Sequence, residues 1–141
     1  DREKVMAQFN ANRHPEVLDV PCSGTGTWRR NPDLRFKFTQ TKLDKLTDTQ
    51  MILLGEGADY VKPGGRLIYM TCSLLHDENE DKVEEFLKFH EDFKLLPYHQ
   101  LWEEAWGECP ETASRNKDTL LLTPKIHQTD GFFVAVFEKL S

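Results

Sequence analysis

The 141-residue sequence has no unbroken apolar run of about 18 residues, and it opens on the charged stretch Asp1-Arg2-Glu3-Lys4. It therefore offers neither a membrane-spanning helix nor a signal-peptide core. Basic charge is in deficit, with 18 Lys plus Arg against 24 Asp plus Glu and a net charge of −6, which argues against a domain that grips nucleic acid by charge alone. The three cysteines are an odd number and too few for a disulfide scaffold. No Cys-x-x-Cys pair points to zinc, and no Gly-Lys-Ser/Thr points to a nucleotide-triphosphate loop. Repeats and low-complexity segments are absent as well. What remains is the length of at most one domain with a modest core, expected in a reducing, cytoplasmic compartment with reduced thiols.

Residues 1–15 are polar and weakly patterned and close on His14-Pro15, where the residue before proline disfavours helix. Val17-Leu18-Asp19-Val20 is short, β-branched and mostly apolar, the pattern of a buried strand. Pro21 stops it, and Cys22-Ser23-Gly24-Thr25-Gly26-Thr27 follows as a loop of small residues. From Lys42 to Val61 the apolar positions Leu43, Leu46, Leu53, Leu54, Ala58 and Val61 recur at helical spacing. Lys62-Pro63-Gly64-Gly65 ends that helix. Arg66 to Met70 is then a second strand, running into the polar loop Thr71-Cys72-Ser73. Asp77 with Glu80 predicts a capping pair for a helix carrying Val83, Phe86, Leu87 and His90 on one face, its acidic residues forming a solvated surface. Phe93 to Leu96, Leu120 to Leu122 and Phe132 to Phe137 are further strand candidates. The last is apolar throughout and so predicted to be buried on both faces. Alternating strands and helices make this an α/β unit.

Both polar loops leave the C-terminal ends of strands, where open α/β sheets bind ligands. Adjacent parallel strands would bring Cys22 and Cys72 to one edge of the sheet, and their separation in sequence leaves room for a crossover helix. Free cysteine is often only a small buried hydrophobe, but two at equivalent strand ends, flanked by Ser, Thr and Gly, point to chemistry. A cysteine hydrolase would need a histidine such as His76 or His127 beside one thiol, and nothing local demands it.

The segment Asp19-Val20-Pro21-Cys22-Ser23-Gly24-Thr25-Gly26-Thr27-Trp28-Arg29-Arg30-Asn31-Pro32-Asp33 resembles the proline–cysteine motif of the RNA cytosine-C5 methyltransferases of the NOL1/NOP2/Sun (Sun/Fmu) family, bacterial 16S ribosomal RNA type. Lys62 through Ser73, with Glu78-Asn79-Glu80 downstream, resembles the family's threonine–cysteine motif, and Pro124 to Phe133 its closing segment. The resemblance implies S-adenosylmethionine-dependent methylation of cytosine C5 through a covalent adduct. Cys72 would be the nucleophile at C6, Cys22 would assist proton removal or product release, and Asp19 would face the N3/N4 edge of the base. Pro21, Ser23, Gly24, Gly26, Arg29 and Arg30 would line the RNA substrate. Carbon 5 is a poor nucleophile, and addition of a thiolate to C6 makes the ring enamine-like, so covalent catalysis divides the difficulty. An ordinary thiol is only about a few per cent ionised at neutral pH, so positive charge or amide donors are expected around Cys72. Gly24 and Gly26 allow a close backbone approach to substrate.

The resemblance further implies the C-terminal half of a Rossmann-like class I methyltransferase sheet, with strands four, five, seven and six and the last two antiparallel. On this reading residues 1–15 are a lead-in of uncertain origin and residues 16–141 the C-terminal part of the catalytic domain. The family's glycine-rich cofactor loop has no counterpart before Val17. The open edge of the first strand predicts self-association, and tight cofactor binding by this chain alone is not expected. A non-catalytic interaction fragment that keeps the fold is the alternative. Charge is unevenly spread. Residues 29–45 carry Arg29, Arg30, Arg35, Lys37, Lys42 and Lys45 against two acids, whereas residues 77–92 are strongly acidic, so the basic loop after Cys22 is the part expected to meet RNA.

Overall fold

A computed structural model describes residues 16–28, 32–33, 35, 38–127 and 129–140. Five strands form one mixed sheet: β1 (Glu16–Asp19), β2 (Arg66–Thr71), β3 (Phe93–Leu96), β4 (Leu120–Leu122) and β5 (Phe132–Lys139). Their order is β1-β2-β5-β3, with β4 also paired to β5. β1 runs parallel to β2 with Leu18 opposite Tyr69, and β5 runs antiparallel to β2 with Ala135 opposite Tyr69. β3 and β4 lie along β5, both antiparallel, pairing with its C-terminal and N-terminal parts.

The two central strands explain the core. Along β2, Leu67 and Tyr69 face one layer and Ile68 and Met70 the other; along β5, Phe133, Ala135 and Phe137 alternate with Phe132, Val134 and Val136. All ten are buried, as continuous apolar strands in a two-sided sheet must be. Helices α1 (Gln40–Tyr60) and α2 (Glu80–Phe89) cover the first face through Leu54, Ala58, Val83 and Phe86. Helix α3 (Tyr98–Trp106) covers the second through Tyr98, Leu101 and Trp102. A short helix α4 (Pro124–His127) leads toward β5. The predicted helix between the two cysteine loops is thus present, and its start is set by Thr39, whose hydroxyl accepts from Lys42 N–H at 3.2 Å.

Two local expectations differ from the structure. β1 was predicted to be buried, but Val17 is 36% exposed and Asp19 is exposed. Among the described residues β1 pairs on one side only, and an apolar run does not distinguish an edge from a central strand. The start of α2 also differs. Asn79, not Asp77, occupies its N-cap position, without a side-chain cap bond. The Glu80 carboxylate instead accepts from Ser114 Oγ at 3.1 Å and Arg115 N–H at 3.0 Å, so it is not available for a capping box. Nor is the acidic run wholly solvated, since Glu78 and Glu80 are 0% and 4% exposed.

Candidate active site

The strand ladder brings the two cysteine loops together. Val20 N–H donates to the Met70 carbonyl at 3.2 Å, carrying the β1–β2 pairing one residue past β1. Pro21-Cys22 thereby lies beside Thr71-Cys72, and the two Sγ atoms stand 3.1 Å apart, both half-buried and reduced. The juxtaposition expected from two adjacent parallel strands is what the structure contains.

Three further contacts weld the loops. Gly26 N–H donates to the Cys72 carbonyl at 2.9 Å, and Gly131 N–H donates to the Gly26 carbonyl at 2.8 Å. The Thr25 hydroxyl accepts from Leu74 N–H at 2.7 Å. A Cβ on Gly26 would lie 2.6 Å from the Cys72 carbonyl oxygen and 2.6 Å from Gly131 Cα, closer than real contacts allow. The close approach at Gly26 is therefore made by the chain itself, with three loops meeting on one small residue. Gly24 sits in the left-handed region at φ 72°, where glycine is the default.

Beneath the thiols lies a buried polar floor. The Glu78 carboxylate accepts from Ser23 N–H with both oxygens, at 3.0 and 3.1 Å, and from Ser23 Oγ at 3.3 Å. The Tyr69 hydroxyl donates to the Glu78 carbonyl. Thr71 Oγ1 donates to Asn79 Oδ1 at 2.6 Å, and Asn79 Nδ2 donates to the Ser73 carbonyl at 2.8 Å. From α1, the buried Gln50 donates to the Pro21 carbonyl at 2.9 Å.

Electrostatics couple the two thiols. Cys22 is pushed far above the ordinary thiol range, first by its hydrogen bond to Cys72, then by burial, then by repulsion from charge on Cys72. The main-chain N–H groups of Cys72 and Gly24 pull the other way, to a lesser extent. Two thiols at this distance cannot both ionise readily, so the pair holds one proton between them. Burial raises the Glu78 carboxyl, opposed by donors on Ser73 and Ser23. Burial and the nearby Glu78 raise Tyr69.

Of the other predicted residues, Asp19 is exposed at the end of β1, opposite Met70. Pro21 is exposed while its carbonyl is held, and Ser23 is half-buried on the floor. Arg29 and Arg30 lie outside the described residues, as do residues 1–15 and Lys37. Cys109 packs against the opposite face of the sheet and donates to the Pro110 carbonyl. His127 accepts from Thr123 N–H through Nδ1 and bonds the Glu111 carbonyl through Nε2, so both ring nitrogens have structural partners. His76 is tied to Asp81 through Nδ1 at 3.0 Å. Neither histidine is held as a base for a thiol.

The family model described as 16S rRNA methyltransferase RsmB/F matches residues 4–138. The chain belongs to this family. It is 43% identical over 123 residues to the probable ribosomal RNA small subunit methyltransferase B of Synechocystis sp., covering 87% of this chain and 26% of that protein. The chain thus spans about a quarter of the length of this curated relative. A crystal structure titled PH0851 is 38% identical with a TM-score of 0.79, over 89% of this chain and 26% of the other. A methyltransferase homologue from Pyrococcus horikoshii is 31% identical with a TM-score of 0.69, over 96% and 42% respectively. The sheet, with its antiparallel last strands, belongs with the Rossmann-like methyltransferase fold.

Within this RsmB/F chain, Gln50, Glu78 and Asn79 are the site residues that reasoning from the sequence alone did not assign. Gln50 falls seven residues after Leu43 and four before Leu54. A polar side chain on an apolar stripe was its available signal. Glu78 and Asn79 were marked only as part of the threonine–cysteine motif, with no role attached.

Proposed function

We propose that this chain supplies the acceptor half of an active site that methylates cytosine C5 in small-subunit ribosomal RNA, of the 16S type, with S-adenosylmethionine as methyl donor. The observation that carries this reading is the 3.1 Å pair of reduced thiols at the C-terminal ends of two parallel strands. The two thiols share one hydrogen bond in which either can donate, and the family resemblance makes Cys72 the one that would carry the negative charge and attack C6. Attack would form the S–C6 bond and move an electron pair to C5, which would take the methyl group as the S–CH3 bond breaks and its electron pair stays on the donor sulfur, leaving a neutral thioether. A base then removes the C5 proton, the C5–C6 double bond re-forms, and the S–C6 bond breaks to return the Cys72 thiolate. Asp19, exposed at the strand end beside the pair, would meet the N3/N4 edge of the base, where an acid–base partner neutralises charge on the ring.

Pro21, Ser23, Gly24 and Gly26 would line the RNA substrate beside the thiols, and Arg29 and Arg30 follow on the basic segment that would meet RNA phosphate. The described residues fit the acceptor end of such a site: a thiol pair, a carboxylate and a rigid floor. The glycine-rich loop that the resemblance assigns to the methyl donor is not among them. We place the reaction in the cytoplasm, the compartment expected for reduced thiols. The test is nucleoside analysis of small-subunit RNA incubated with the complete enzyme and S-adenosylmethionine. 5-Methylcytidine is expected, and any other methylated nucleoside in its place contradicts the reading.

We also place self-association at β1, which among the described residues pairs on its β2 side alone. Sedimentation of this chain should show dimer that increases with concentration. A monomer throughout the range would contradict it.

A further inference from the structure

We propose that Glu78 is a positioning residue: by holding the Ser23 main chain, it sets the Cys22 thiol against Cys72. The proposal deepens the methyl-transfer reading and rests on it for its catalytic consequence, though not for its geometry. Glu78 is fully buried, and a buried carboxylate is costly unless donors compensate it. Its two oxygens converge on one main-chain N–H, that of Ser23, at 3.0 and 3.1 Å, and one of them also takes the Ser23 hydroxyl at 3.3 Å. Ser23 directly follows Cys22, so the clamp acts one residue from the sulfur.

The other end of the clamp is equally fixed. The Tyr69 hydroxyl holds the Glu78 carbonyl from β2. The neighbouring Asn79 bonds Thr71 Oγ1 and the Ser73 carbonyl, the residues flanking Cys72. Ser73 Oγ in turn lies 3.4 Å from Ser23 Oγ and 3.3 Å from Thr25 Oγ1. Glu78 therefore ties the loop that carries Cys22 to the strand end that carries Cys72. A buried apolar side chain would fill this space at lower cost but would leave Ser23 N–H without its acceptor. The bonds are already at full hydrogen-bond length, so a side chain one methylene shorter does not reach.

The experiment compares Glu78→Ala, Glu78→Asp and Glu78→Gln with the wild-type chain. Iodoacetamide labelling of each cysteine is followed by peptide mass mapping between about pH 6 and pH 10, with circular dichroism to establish the fold. In the wild type, one of Cys22 and Cys72 should react at least about tenfold faster than the other near pH 8, because two thiols sharing one proton do not ionise together. Glu78→Ala and Glu78→Asp should shrink that gap to about threefold or less as the thiols separate and titrate independently. Cys109, on the far face, should be unchanged. Glu78→Gln, whose carbonyl still accepts from Ser23 N–H, should keep most of the gap. A wild-type gap in folded Ala or Asp variants, no gap in the wild type, or a gap lost in Gln as fully as in Asp would each overturn the proposal. If the Ala variant does not fold, the Asp and Gln variants decide the question. No RNA enters this assay. A Cys72 that is not the nucleophile leaves these outcomes unchanged, and a failed clamp leaves the methyl-transfer reading standing.

Discussion

Replacing Cys72 by serine in the complete methyltransferase is expected to lower methyl transfer by at least about a thousandfold. A hydroxyl does not supply the thiolate that C6 addition needs. Replacing Cys22 by serine should act differently: the first addition and the methyl transfer proceed, and the enzyme then stalls as a covalent complex with RNA. The asymmetry follows from what raises Cys22. Two of the three influences that raise it come from Cys72, as hydrogen-bond partner and as charge. Once Cys72 is bonded to carbon both influences end, and the N–H groups of Cys72 and Gly24 that favour a Cys22 thiolate remain. On the proposed mechanism Cys22 would then be able to give up its proton, and so to act as a base, after the adduct has formed. The C5 proton must leave at that stage. Methyl-transfer rates together with denaturing gels for trapped complexes read both effects. Equal losses in the two variants, with no trapped complex in either, would contradict the division of roles.

A second large effect is expected at Gly26, with Gly55 as its counterpart. In Gly26→Ala the new methyl group would meet the Cys72 carbonyl oxygen and Gly131 Cα and O, all at 2.6 Å. These are main-chain atoms, which have no rotamer to move aside, so the three loops must part. A loss of about 2–3 kcal/mol is expected, lowering Tm by about 10 °C. The Sγ–Sγ distance would widen with it, because Gly26 N–H is bonded to Cys72 itself. Gly55→Ala meets nothing within 4 Å on the helix α1. It should raise stability by about 0.5–1 kcal/mol through helix propensity alone. Thermal melts of the two variants check both signs. A Gly26→Ala chain as stable as the wild type would show that the loops do not meet as described.

The sequence made the strands and the pairing of the two cysteine loops visible for identifiable reasons. Phe132 to Phe137 is apolar at every position, and only a strand covered on both faces is written that way. Cys22 and Cys72 each follow a strand directly, so a single crossover was enough to bring them together. The partial exposure of β1 was not legible in its own residues, because Val17 and Leu18 look the same in a central strand; its open edge was expected only from the resemblance. The polar floor was not legible either. Glu78 and Glu80 sit in an acidic run whose commonest state is solvated, and only tertiary contacts with Ser23 and with Ser114 reveal that they are buried. Asp77 and Glu80 had the spacing of a capping box, but Glu80 found donors in a loop 34 residues away, beyond the reach of any local pattern.

The most direct measurement is to locate the nucleotide on the protein. The complete enzyme carrying Cys22→Ser is incubated with small-subunit RNA and S-adenosylmethionine, digested with protease and nuclease, and mapped by mass spectrometry. The peptide containing Cys72 should carry a methylated cytidine, and the remaining peptides should carry none. A nucleotide on any other residue, or a Cys72 peptide that stays unmodified while the RNA is methylated at C5, would contradict the account.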